Sequence, residues 1–177
     1  MNQRYLITGC SGGGKSTLIH RLEALGHAVV HEPGLRVIRK AGPAPWEDRP
    51  GFFKAVTAMA RADLDTPVKD DAPTFFDRGL LDALSGRAAR DKVPVSDLMP
   101  RPFPYAQPVF YAPPWPEIYE ETDERRHSYA MALDEALRLR RDLDALQCEV
   151  VELPKLSVEE RVHLVLDHAL GRSARSV

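Results

Sequence analysis

The run Gly9-Cys10-Ser11-Gly12-Gly13-Gly14-Lys15-Ser16, followed directly by Thr17, determines how this chain is organised. It fits the pattern G-x-x-x-x-G-K-[ST], which marks a phosphate-binding loop (P-loop) when a strand precedes it and a helix follows. Both conditions are met here. Residues 5–7 are an apolar run typical of a buried strand, and residues 16–25 carry apolar side chains at helical spacing.

The composition of this run suits it to hold polyphosphate. Glycine allows backbone conformations closed to other residues and lets a phosphate approach the chain closely. Successive N–H groups can then converge on an anion, and the N-terminus of the following helix favours negative charge. We therefore predict a nucleoside triphosphate site formed by Gly9, Ser11, Gly12, Gly13, Gly14, Lys15, Ser16 and Thr17.

Three side chains at the end of the run have predicted roles. Lys15 would bridge the β- and γ-phosphates, and the hydroxyl of Ser16 would bind Mg²⁺. Thr17 would lie close to the α-phosphate or simply begin the helix. The predicted cofactors are therefore ATP, with GTP as an alternative, and Mg²⁺. The competing interpretation is a glycine-rich turn that matches the motif by coincidence.

The rest of the chain alternates between predicted strands and helices. Strands are predicted over residues 5–7, 28–31, 74–77, 108–111 and 149–153. Helices are predicted over residues 16–25, 35–40, 52–64, 80–89, about 128–146, and from a capping box at Ser157 to Gly171. This alternation predicts a three-layer α/β P-loop NTPase sandwich, in which helices cover both faces of a five-stranded parallel sheet. We expect one domain over residues 1–171 and a disordered tail over 172–177.

Acidic residues follow two of the predicted strands, where an open α/β sheet places its ligands. Glu32 follows the second strand and Asp77 follows the third. One carboxylate would serve Mg²⁺, a role we assign to Asp77, and the other would orient or deprotonate a nucleophile. Each has a simpler alternative, because Glu32 could cap the next helix and Asp77 could form a local ion pair with Arg78.

Arginines are the third group of candidates. Arg78 lies beside Asp77 at the same strand end, and a guanidinium can grip phosphate or carboxylate with two hydrogen bonds. Arg125 and Arg126 precede the long predicted helix and could close over the transferred phosphoryl group as part of a lid. A solvated charged turn is the alternative for that segment.

Composition limits the classes of partner. The formal net charge of −2 gives no support for a nucleic-acid surface. The two cysteines, Cys10 and Cys148, match no metal-binding spacing and suit reduced thiols. Neither a signal peptide nor a membrane-spanning run is recognisable, so we expect a cytoplasmic protein. The oligomeric state stays open.

With these motifs in hand, the chain resembles a family of small P-loop ATPases labelled AAA domain, ATPase-like. The family is related in pattern to nicotinamide-riboside-kinase-like and deoxynucleoside-kinase-like proteins. The resemblance rests on the P-loop, on His31-Glu32-Pro33, on Phe76-Asp77-Arg78-Gly79 and on Asp123-Glu124-Arg125-Arg126. It implies that Glu32 handles an acceptor hydroxyl, that Asp77 and Arg78 serve magnesium and phosphate, and that Arg125 and Arg126 contact phosphates.

Three functions compete at this level. The first is a kinase that transfers the γ-phosphate to a small-molecule hydroxyl, with the region of Trp46, Phe52 and Phe53 as a wall for the acceptor. The second is a nucleotide-dependent switch or hydrolase with a protein or lipid partner, and the third is a binding module without chemistry. ATP is favoured over GTP because no Asn-Lys-x-Asp element occurs. By position alone, residues 154–156 are the expected site of base recognition.

Overall fold

The fold is a parallel sheet with helices on both faces, as the sequence predicts. The computed structural model describes residues 3–68, 72–116 and 129–171. Its five strands pair in the order β2-β3-β1-β4-β5, and every pair is parallel. The strands are β1 Arg4–Gly9, β2 Ala28–Val30, β3 Thr74–Asp77, β4 Val109–Ala112 and β5 Val150–Glu152.

The three central strands are buried, which explains their continuous apolar sequences. The register of the sheet aligns Ile7 of β1 with Asp77 of β3 and with Phe110 of β4. The carboxyl ends of β1 and β3 therefore meet at one edge of the sheet. This edge carries both the phosphate-binding run and Asp77, one of the two predicted acids.

Within the described residues, six α-helices complete the layers. They are α1 Lys15–Ala24, α2 Pro33–Arg39, α3 Arg49–Asp65, α4 Leu80–Asp91, α5 Tyr129–Ala145 and α6 Val158–Ala169. Leu18 of α1 and Val162 of α6 pack in the core on one face of the sheet. Leu84 of α4 and Leu139 of α5 pack in the core on the other face. A smaller apolar cluster joins α2 and α3 to α4.

Prolines account for the main differences from the predicted boundaries. Helix α3 begins at Arg49 rather than at residue 52, because Asp48 caps it by accepting a hydrogen bond from the Gly51 N–H at 2.9 Å. Helix α2 begins at Pro33 rather than at residue 35. Proline is compatible with the first turn of a helix, where its missing N–H has no intrahelical partner. The sequence prediction treats Pro50 as a loop residue, whereas it lies in the first turn of α3.

Two predictions are untested by this description. The tail over residues 172–177 lies outside the described residues, and a single domain over residues 1–171 stays a prediction. Within the described part of the chain, every helix is too short or too polar to cross a lipid bilayer.

Candidate active site

The P-loop joins β1 to α1 and is shaped by its glycines. Gly9 has φ 119° and Gly14 has φ 69°, a region that side chains disfavour. A Cβ atom on Gly9 would lie 2.1 Å from the carbonyl oxygen of Ala112, so β4 leaves no room for a side chain there. Ser11, Gly12 and Gly13 form the turn between these two positions.

Lys15, at the first position of α1, folds back onto this loop. Its ammonium donates hydrogen bonds to the backbone carbonyls of Gly9, at 3.3 Å, and of Cys10. The side chain is buried, and burial lowers the pKa of Lys15, with a further contribution from the positive charge of Arg78. Thr17 is exposed in the first turn of α1.

Ser16 and Asp77 meet across the neighbouring strand ends. The Ser16 hydroxyl donates to Asp77 Oδ2 at 3.3 Å. Asp77 is 3% exposed, and its other oxygen, Oδ1, has no hydrogen-bond partner among the described residues. Burial raises the pKa of Asp77 to about 6, and the nearby charge of Glu32 adds to the rise while Lys15 and Arg78 oppose it.

This pair fits a magnesium ion. Mg²⁺ prefers hard oxygen ligands and commonly takes one or two from the protein and the rest from phosphates and water. A hydroxyl and a buried carboxylate with an unpaired oxygen provide those protein ligands. The described residues contain no group of three or more His, Cys, Asp or Glu side chains suited to a metal. The remaining ligands of a bound Mg²⁺ would be phosphate oxygens and water.

Arg78 is the centre of a buried charge network. Its φ of 57° turns the chain after β3, while its N–H still donates to the carbonyl of Ile7 in β1 at 2.9 Å. The guanidinium donates two hydrogen bonds to Glu135, at 2.9 and 3.2 Å, and one to Asp82 at 3.1 Å. Its Nε lies 3.6 Å from Glu32 Oε1.

These contacts determine the charge state of Arg78. Burial alone would lower the pKa of Arg78, but the carboxylates of Glu135, Glu32 and Asp82 hold this pKa well above its ordinary value. The ion pairs of Arg78 among the described residues are with these three acids and not with its neighbour Asp77. The simple Asp77–Arg78 turn pair considered from the sequence is therefore not the arrangement present.

Glu32 immediately precedes α2 but does not cap it. Its side chain makes no capping hydrogen bond to any described residue and instead faces Arg78. Two partners in the network, Asp82 and Glu135, were not identified from the sequence. Asp82 also accepts hydrogen bonds from the Thr8 hydroxyl at 2.6 Å and from the Gly79 N–H at 3.0 Å. Asp82 lies in the first turn of α4, four residues after Arg78, and this short spacing was the available signal.

A cavity of about 350 Å³ opens beside the network, between α2, α3, α4 and α5. The polar part of its lining includes Ser11 of the P-loop together with Glu32, Arg78, Asp82 and Glu135. The apolar part includes the three aromatic residues proposed from the sequence as an acceptor wall, Trp46, Phe52 and Phe53. The structure thus places Glu32, Arg78 and the P-loop around one chamber, whereas Arg125 and Arg126 lie outside the described residues.

Solved structures with the same fold include small-molecule kinases. The structure of deoxyadenosine kinase from M. mycoides, with the products dCMP and dCDP, has a TM-score of 0.60 at 14% identity and covers 96% of this chain and 100% of that one. Shikimate kinase from Acinetobacter baumannii in complex with shikimate has a TM-score of 0.54 at 15% identity, with 99% and 96% covered. The NadR protein in complex with NR has a TM-score of 0.64 at 15% identity, with 99% of this chain but 52% of that chain covered.

At these identities the likeness establishes the fold alone. A comparison with curated proteins finds no match. The family model described as an AAA domain matches residues 4–161. Because that match spans most of the 177 residues, the chain belongs to the AAA domain family, a group of P-loop NTPases with a kinase-like fold.

Proposed function

We propose that this protein is a kinase that transfers the γ-phosphate of ATP to a hydroxyl of a small molecule. The observation that carries the proposal is the cavity that Ser11 of the P-loop and Glu32 both line. A hydrolase needs space for water, whereas about 350 Å³ is the size of a small-molecule site. The kinases of deoxyadenosine and shikimate that share the fold lend support to a small acceptor.

The residues of the cavity suggest how transfer proceeds. The acceptor oxygen attacks the γ-phosphorus, the bond from that phosphorus to the bridging oxygen of ADP breaks, and the hydroxyl proton passes to a carboxylate. Asp82 and Glu135 are tied by short hydrogen bonds, whereas Glu32 has the looser 3.6 Å contact with Arg78. Glu32 is therefore the proposed base, and Arg78 is the residue that positions it.

The nucleotide side of the mechanism rests on the P-loop. Its backbone amides and Lys15 would bind the phosphates and orient the γ-phosphoryl group toward the cavity. Ser16 and Asp77 would hold Mg²⁺, which when bound supplies positive charge that stabilises the phosphates. The aromatic lining favours an acceptor that carries a planar or apolar part beside its hydroxyl.

Two experiments test the proposal, a screen of acceptors and a variant whose cavity is blocked. Nucleosides and other alcohols are incubated with the protein, Mg²⁺ and ATP labelled on the γ-phosphate, and we expect labelled product above the hydrolysis background. Ile38→Trp places a large ring in the cavity lining and should abolish transfer while calorimetry still detects Mg·ATP binding. Leu137→Trp, at an exposed site on α5, is the matched control and should retain transfer. Hydrolysis without transfer to any acceptor, unaffected by Ile38→Trp, would instead support the nucleotide-dependent switch.

Replacing Glu32 by glutamine tests the proposed base. The change keeps the shape of the side chain but removes its ability to accept the proton. We expect the transfer rate to fall by about 10²- to 10⁴-fold, while the Kd for Mg·ATP changes little. Steady-state kinetics and calorimetry on the same preparations provide the two measurements. A variant that keeps near-normal turnover would show that the proton leaves by another route.

A further inference from the structure

An arginine beside the P-loop stacks on a tryptophan, and neither residue lines the cavity. Arg161 belongs to α6, and Trp115 follows β4. The guanidinium carbon of Arg161 lies 5.1 Å from the centroid of the Trp115 ring, and Arg161 Nη1 donates to the carbonyl of Gly14 at 3.4 Å. The arginine thus connects the aromatic ring to the last glycine of the loop.

Arg161 has an unusual environment for a cation. It is 5% exposed, yet it has no carboxylate partner in the described part of the chain, and its Nε has no hydrogen-bond partner there. Stacking on an aromatic face compensates part of the cost of burying the charge. It still leaves the Nε–H of Arg161 buried beside the stack without an acceptor among the described residues, and a buried donor of this kind calls for a partner.

The order of the strands indicates which part of a nucleotide would lie there. Strand β1, which leads into the P-loop, lies between β3 and β4. Glu32, Asp77 and the cavity lie on the side of β2 and β3, where the γ-phosphate must point for transfer. The Arg161–Trp115 pair lies on the side of β4 and β5. A triphosphate held across the loop would therefore direct its nucleoside toward this pair.

We propose that Arg161 and Trp115 form the base-binding platform of the nucleotide site. The base would stack against this pair, and one of its acceptor atoms would accept a hydrogen bond from the Nε–H of Arg161. This inference rests on the proposed nucleotide binding but does not depend on the acceptor. It assigns base recognition to α6 and the segment after β4, in addition to the loop at residues 154–156 expected from position. Aromatic stacking of this kind tolerates different bases, so discrimination between ATP and GTP would come from the arginine donor.

The two tryptophans allow the platform to be tested directly. Trp46 lines the cavity and Trp115 belongs to the platform, so a Trp46→Phe protein reports on Trp115 alone. We expect a saturable change in Trp115 emission with Mg·ATP and none with Mg·tripolyphosphate, which has no base. An equal response to both ligands would overturn the assignment.

Substitution of Arg161 gives the second test. In Arg161→Gln we expect the Kd for Mg·ATP to rise about tenfold and the Kd for Mg·tripolyphosphate to stay within about twofold, since only the base contact is lost. Arg21→Gln, which breaks an exposed ion pair between α1 and Glu159 of α6, controls for loosening of α6 and should alter neither value.

Three results would contradict the platform. Equal weakening of both ligands in Arg161→Gln would mean that Arg161 supports the loop or a phosphate, and no weakening of either would mean that it has no part in binding. Trp115→Leu should reproduce the selective loss of ATP affinity, and unchanged affinity there would also contradict the assignment. If the unaltered protein bound neither ligand, the proposed nucleotide binding would fail as well, which distinguishes that failure from a failure of the platform alone.

Discussion

Arg78→Met should lower the free energy of unfolding by about 3 to 5 kcal/mol, the usual effect of removing one partner from a buried charge network. The change leaves the carboxylates of Glu32, Asp82 and Glu135 facing one another without the cation that now pairs with them. Urea denaturation at pH 7 measures the loss. Arg78→Lys keeps the charge but not the forked geometry and should lose an intermediate amount.

A double substitution separates network strain from lost packing. Adding Glu135→Gln to Arg78→Met removes one of the stranded charges, so the double variant should be more stable than the sum of the two single effects predicts. Arg21→Met, which removes an exposed ion-pair partner, should have a small effect and serves as the matched control. Strict additivity of the Arg78 and Glu135 substitutions would contradict the network.

Asp77→Asn should change stability and function in opposite directions. The pKa of Asp77 is raised from 3.8 to about 6 in the folded protein. Above pH 6 the folded protein therefore contains an ionised Asp77 carboxylate, and that ionised form would be more stable in the unfolded chain. Asparagine removes that charge and should stabilise the nucleotide-free protein by on the order of 2 kcal/mol at pH 7. The advantage should shrink as the pH falls from about 6 toward 4, where the native carboxyl takes up its proton.

The functional effect of Asp77→Asn should be a loss of magnesium-dependent activity. An amide oxygen is a weaker ligand than a carboxylate, so we expect phosphoryl transfer to fall by about 10²-fold or more, although the variant melts at a higher temperature. Thermal denaturation at pH 7 with and without Mg·ATP provides the comparison. A variant that is less stable than the parent at pH 7 would show that the buried carboxylate is satisfied by a contact not yet identified.

The sequence predicted those parts of the site that depend on local pattern. The P-loop is contiguous, and Asp77 ends a four-residue buried strand, so both could be located from one segment each. Glu32 follows a strand in the same way. The carboxyl ends of parallel strands meet at one edge of the sheet, and this rule alone predicts that these residues lie close together.

The remaining parts depend on contacts between distant segments. Glu135 lies 57 residues from Arg78 and joins it only because α5 packs beside α4. Arg161 lies 147 residues from Gly14, and its position on α6 is an ordinary place for a solvated arginine. No periodicity or spacing in the sequence indicates that either side chain reaches the site. The early start of α3 was missed for another reason, because proline signals both loops and first turns of helices.

The left-handed conformation of Arg78 directs two consecutive side chains, those of Asp77 and Arg78, to different parts of the site. Asp77 faces Ser16 and the phosphate-binding loop, while the side chain of Arg78 lines the cavity. The peptide unit between Asp77 and Arg78, which lies outside α2 and α3, thus joins the phosphate-binding loop to the cavity. We therefore expect that substitutions in α2 and α3 can change the acceptor of the proposed kinase without altering the phosphate-binding loop. For protein engineers this makes α2 and α3 the natural place to randomise when a new acceptor is sought.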